Sequence, residues 1–138
     1  MSKIILNSIQ CNHCGQAVIS HHRHDFNSCS CGRVSVDGGR DYTRRLFQTE
    51  GDYRELSLYS NAPFDIIREN LYRGSRGKDG DEPLHWVKIS EMSNKYLINL
   101  IDYCKDNDYS ITSDTRYYFQ EVEYRQTNNI NIEGTKDE

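Results

Sequence analysis

The 138-residue chain has no apolar run approaching the ~18 residues of a membrane-spanning helix, which argues against a helical membrane protein. The opening stretch KIILNSI, residues 3–9, is too short and too polar for a signal-peptide core, so a cytoplasmic protein is expected. Hydrophobic residues make up only 36% of the chain and mean hydropathy is −0.85, too little for one large core. Tryptophan occurs once and phenylalanine four times against ten tyrosines, so burial must lean on rings that keep a polar end. Cations are not in surplus. The net charge is −4 and the pI about 5.7, which disfavours a body-wide nucleic-acid surface. No serine or cysteine stands beside a plausible base, no spaced carboxylate pair stands out, and the Walker pattern GxxxxGK[ST] is missing. No enzyme is expected.

What the chain does have is concentrated near its start. Four of five cysteines fall as Cys11-x-x-Cys14 and Cys29-x-Cys31, fourteen residues apart, and each pair is followed by glycine. Wrapping two thiolates around one ion reverses the backbone sharply, and glycine tolerates the positive φ needed there. Two such turns can offer four sulfurs tetrahedrally to Zn²⁺, the expected cofactor. In the reducing cytosol, clustered thiols favour metal over disulfide. A redox dithiol is the competing reading, but it needs no second pair. Cys104 lies in an expected helix and reads as a small buried hydrophobe. His13, His21, His22 and His24 lie within or between the pairs, yet four thiolates close the coordination shell without them. They read as loop residues or outer hydrogen-bond donors, with His24-Asp25 fixing a turn, and the ion as structural rather than catalytic.

The flanks suit short strands over residues 3–9, 16–20 and 33–36, with Val34 and Val36 on one face. Asp37-Gly38-Gly39-Arg40 is a strong hairpin turn, and residues 42–47 form the returning strand, with Arg44 and Arg45 on opposite faces. The strings HRHDFNSCSCG, VDGG and DYTRR, within residues 11–45, resemble a small zinc-ribbon family of bacteriophage and prophage genomes with no assigned reaction. The resemblance rests on His22, Arg23, His24, Asp25, Phe26, Cys29, Cys31, Asp37, Gly38, Gly39, Asp41, Tyr42, Arg44 and Arg45. A second stretch, GSRGKDGDEPLHWVKISEMSNKYL at 74–97, resembles a segment of other small phage proteins. Both resemblances imply a phage origin and supply no reaction.

The second half reads as a separate unit. Residues 1–48 carry six basic and three acidic side chains, the remainder eleven and eighteen, so charge changes sign near residues 49–52. Residues 52–59 are ambiguous, with a short strand one reading, and Pro63 breaks the chain. Residues 66–73 and 85–89 read as a hairpin anchored by Trp86. Ser93 caps a helix in which Met92 staples onto Leu97, and Leu97, Leu100, Ile101 and Cys104 form one stripe ending near 106–108. Ser113 caps a second helix to about 126. The expected fold class is therefore α+β: a zinc ribbon at 1–48, a small α+β domain at 52–126 and a flexible tail at 127–138.

Three functions compete. Arg40, Arg44 and Arg45 beside Tyr42 and Phe47, with Arg23, His24 and Asp25 nearby, suggest nucleic-acid contact, or else ion pairs within the hairpin. Arg73, Arg76 and Lys78 in the glycine-rich stretch 73–80 suggest a phosphate-bearing small ligand, or else an exposed hairpin tip. The favoured reading is a phage accessory protein whose metal-stapled head docks on a host or defence-system protein. Tyrosines 53, 59, 72, 109 and 117 are candidate anchors for that contact. Oligomeric state is not legible.

Overall fold

The computed structural model describes residues 2–77, 79–106 and 114–133. The chain is α+β and divides into two compact units, Met1–Pro63 and Phe64–Glu138.

In the first unit the central strand is β1 (Ile4–Cys11), eight residues that open on three apolar side chains and are buried at every position but Ile4 and Gln10. One edge pairs antiparallel with β2 (Ala17–Ser20), in register Ser8 to Ile19. The other edge takes β6 (Tyr53–Glu55) and β7 (Leu58–Tyr59) in succession, with Gln10 opposite Arg54 and Leu6 opposite Leu58. A second sheet orders β3 (Asn27–Ser28), β4 (Ser35–Asp37) and β5 (Arg44–Leu46). Ile9, Cys11 and Val18 from the first sheet and Cys29, Val34 and Val36 from the second part of the unit form one core, with Tyr53 packed against them. Two of those six core members are cysteines. The junction expected at 49–52 lies within this unit instead, because residues 53–59 complete the β1 sheet and the contact boundary follows Pro63.

In the second unit, residues 64–67 are not strand. They form a helical turn, α1 (Phe64–Ile67), because Pro63 ends the extended run and Arg68 N–H closes a helical bond on Phe64 O at 2.9 Å. Of the expected strand at 66–73 only Tyr72 and Arg73 are extended, in β8 (Tyr72–Ser75), which pairs with β9 (His85–Lys88) so that Gly74 faces Trp86. Trp86 is half-buried, and a Cβ at Gly74 would crowd the Leu84 side chain at 3.2 Å while only touching the Trp86 ring.

Helix α2 (Asn94–Asp106) begins as expected, with the Ser93 hydroxyl accepting the Tyr96 N–H at 3.0 Å. Leu97, Leu100, Ile101 and Cys104 are its buried stripe. Helix α3 (Thr115–Asn128) ends at Asn129 in the left-handed conformation, φ 55°. Ser113 and Tyr109 lie outside the described residues. Residues 129–132 do not trail free: Ile132 O accepts the Asn94 N–H at 2.8 Å and Ile130 N–H reaches Arg125 O at 2.9 Å. Among the described residues no helix is long and apolar enough to cross a membrane.

The second unit also buries charge. Glu121, fully buried, accepts Arg68 Nε at 2.7 Å and Nη2 at 2.9 Å, and Arg125 Nε at 2.7 Å. Arg125 spends its other nitrogens on Asn94 Oδ1 and Ile89 O, both within 2.9 Å. Arg68 Nη1 reaches Glu69 at 2.9 Å, so every guanidinium nitrogen has a partner and the triad specifies packing rather than offering a binding site.

Candidate metal centre

Each cysteine pair sits on a tight backbone turn, and the two turns close alike. Cys11 N–H donates to Gln16 O at 2.9 Å, and Cys29 N–H to Val34 O at 3.1 Å, both spanning five residues. The missing residue in Cys29-x-Cys31 therefore leaves the closing bond unchanged. Gly15 (φ 78°) and Gly32 (φ 77°) supply the left-handed residue after each pair. The Gln16 side-chain oxygen accepts the Ser30 N–H and ties one turn to the other.

The four sulfurs all lie within 4.8 Å of one another, with Cys11–Cys31 at 3.6 Å and Cys29–Cys31 at 3.5 Å. Sulfurs about 2.3 Å from a tetrahedral centre stand about 3.8 Å apart, so these separations fit one thiolate-bound cation. The four cysteines are unbridged. Backbone N–H groups of His13 and Cys14 point at Cys11 Sγ, at 3.3 and 3.4 Å, as donors to a thiolate would. Hydrogen bonds from Gln16 N–H, Ser30 and Cys31 N–H draw the Cys14 thiol down to about 5. Arg33 N–H favours a thiolate at Cys31 too. Burial and the neighbouring sulfurs outweigh it and push that thiol up to about 11. The same crowding that favours a thiolate at Cys14 thus opposes a further one at Cys31. The set can hold a metal ion, and no second such group occurs among the described residues. Residues 3–47 match the model of a domain of unknown function (DUF7695). No curated protein and no solved structure matches the chain. The matched segment spans both cysteine pairs and ends after β5.

Most of the arginine, histidine and aspartate residues of that segment are spent internally. Buried Asn7 is the hub, its amide nitrogen reaching Asp37 O at 3.1 Å, Gly39 O at 2.9 Å and Tyr42 O at 3.1 Å. Asn7 Oδ1 accepts Arg45 Nη1 at 2.7 Å, and Arg45 also grips Glu55 (2.6 Å) and Ser57 (2.9 Å). Arg45 therefore points inward. Arg40 Nε caps Ile4 O at 2.9 Å. Asp25 fixes its loop by accepting the His21 N–H at 2.8 Å, not through His24. His24 adopts φ 65° and lies 3.4 Å from the Tyr42 hydroxyl. Gly39 donates to Ser20 Oγ at 2.8 Å and lies so close to the His22 backbone that no side chain fits. Sequence reasoning missed Asn7 and the pair His13 Nε2–Asp52 Oδ1 at 2.7 Å, which pins the first cysteine turn to the loop before β6.

Arg23 and Arg44 remain outward. Arg44 reaches Asp37 only at 3.9 Å and its side chain is 62% exposed. Sheet register puts it with Leu46 on the outer face of β5, and Phe26, just before β3, is 53% exposed. Two of the three cations in the glycine-rich stretch of the second unit lie among the described residues. Arg73 is drawn to the buried Tyr118 hydroxyl, whose ionisation burial pushes up to about 12, while Arg76 faces solvent. Lys78 lies outside the described residues. Of the proposed tyrosine anchors, Tyr117 is buried, Tyr53 packs against Phe47 at 5.0 Å, Tyr72 is half-buried, and Tyr59 is exposed.

Proposed function

We propose that the first unit is a zinc-stapled, non-catalytic docking module. Its ion is Zn²⁺ held by Cys11, Cys14, Cys29 and Cys31. The supporting observation is that four sulfurs within 4.8 Å complete a tetrahedral donor set while two of them belong to the core of the unit. A filled set leaves no position for water or substrate, so the ion's role is to hold the fold. Metal binding of this kind supplies on the order of ~10 kcal/mol of folding free energy. The partner is a protein: the outward residues Phe26 and Leu46 supply apolar anchors and Arg23 and Arg44 supply cations, whereas Arg40 and Arg45 are occupied and unavailable to phosphates. The phage resemblance makes that partner a host or defence-system protein, met in the reducing cytoplasm of an infected bacterium.

Two measurements test the reading. Elemental analysis of chain purified under reducing conditions gives one zinc per chain, lost together with the β-structure of the first unit under a strong chelator. Affinity capture from host extract then recovers a protein on the wild-type chain and not on the F26S/L46S variant. Capture that survives the variant, or steeply salt-dependent binding to nucleic acid instead, refutes the docking part.

A further inference from the structure

The two turns expose their sulfurs unequally. Cys11 and Cys29 are buried, whereas Cys14 and Cys31 are exposed. Cys31 is also the sulfur shown in contact with both buried partners, 3.6 Å from Cys11 and 3.5 Å from Cys29. An oxidant that must approach a sulfur along a peroxide O–O bond has an open path only to the exposed pair.

We infer that Cys31 is an oxidative modification site for hydrogen-peroxide-class oxidants, and that its oxidation dismantles the staple through a Cys11–Cys31 bridge. The inference rests on the zinc reading above. In the first step a sulfur lone pair of Cys31 forms an S–O bond as the O–O bond breaks. The sulfur gives up two electrons, and hydroxide leaves to become water. In the second, the Cys11 sulfur attacks the sulfenic sulfur, the S–S bond forms, the S–O bond breaks, and a second hydroxide leaves as water. Two thiolates, one peroxide and two protons thus yield one disulfide and two waters.

The Cys11–Cys31 bridge joins separate turns and needs the sulfurs to close from 3.6 Å to about 2.05 Å. A Cys29–Cys31 bridge would have to close a ring over a single residue. Bridging withdraws two of four donors, and it does so at Cys11, a member of the core, so loss of the cation and loosening of the first unit are one event. Cytosolic thiols can reduce the bridge, so the change is reversible. Cys104, buried in the second unit, serves as the internal standard.

The test uses the full metal-loaded chain titrated with hydrogen peroxide. A chromophoric chelator reads released metal, and mass spectrometry after dimedone trapping and alkylation maps the thiols. One ion is expected to leave per peroxide consumed, with sulfenate first at Cys31 at a rate at least about tenfold above Cys104. The Cys11–Cys31 disulfide should follow, with metal uptake restored by dithiothreitol and zinc. Metal and thiols untouched by a large excess of peroxide overturn the inference alone, as does first reaction at Cys11, Cys14 or Cys29, or a terminal bridge that omits Cys31. Absence of metal before any oxidant is added overturns the zinc reading, and this inference with it.

Discussion

Replacing Asn7 by leucine removes the polar hub of the first unit with little change in volume. The amide places two hydrogens among three carbonyl oxygens and accepts one bond from a guanidinium. Two buried neutral bonds contribute about 1 kcal/mol each and the charge-assisted one about 1.5–3 kcal/mol, so N7L should cost about 3.5–5 kcal/mol. A unit of this size has on the order of 3–9 kcal/mol in total, so most of its stability should go. The variant N7D separates the contributions. It keeps a partner for Arg45 but turns acceptor oxygens on the three carbonyls, and it should cost at least about 2 kcal/mol. Urea unfolding followed by accessibility of the four clustered thiols reads this unit, while Trp86 emission reads the other. A thiol-exposure midpoint within about 1 kcal/mol of wild type in N7L would refute the reasoning, and so would an N7D variant as stable as the native chain.

Other expectations follow from the same geometry. G39A should prevent the first unit from folding, since its Cβ would lie 2.2 Å from the His22 carbonyl carbon at φ 55°. G15A, in open space, should cost only about 1–2 kcal/mol for its left-handed backbone, and thermal melts that rank the two equally would contradict this. E121Q leaves two guanidinium groups buried without their carboxylate and should cost about 3–5 kcal/mol in the Trp86-monitored unfolding of the second unit. Asp52 is held well below the usual carboxylate range by the Thr49 N–H, the His13 ring and the Gln48 N–H. Its stabilisation is thus full above about pH 4–5 and lost as pH falls further. Wild type should therefore exceed D52N in melting temperature at pH 7, with the gap narrowing towards acid; a gap independent of pH would speak against the role of the carboxylate.

The residues legible in the sequence are those whose chemistry imposes spacing. Thiolates that share an ion need turns and glycines at fixed offsets, so Cys11, Cys14, Cys29 and Cys31 could be picked out before any contact was known. The Ser93-capped helix was legible for the same local reason, and so was a reversal at Gly38-Gly39, although the turn closes from Asp41 N–H to Gly38 O, one residue later than expected, and the returning strand is only Arg44–Leu46. What stayed hidden depends on distant partners. Residues 53–59 are too short to declare themselves strands, and only the two halves of one edge of β1 make them so. Ile66 and Ile67 read as β-branched strand, but Pro63 and the bond from Arg68 N–H to Phe64 O select a helical turn. Arg45 resembles a surface cation until Asn7 and Glu55 draw it inward, and Glu121 looks solvated until Arg68, 53 residues earlier, meets it. Charge inside a protein is a property of pairs, and a linear string does not show the pairing.

The docked residues 129–132 bear on how the chain can be shortened. Cutting after Asn128 would remove the carbonyl that receives the first amide of α2 and the Ile130 N–H that closes the end of α3. A trimmed version would begin one helix and finish the other with bare backbone groups, and its poorer solubility would be an artefact of where the scissors fell.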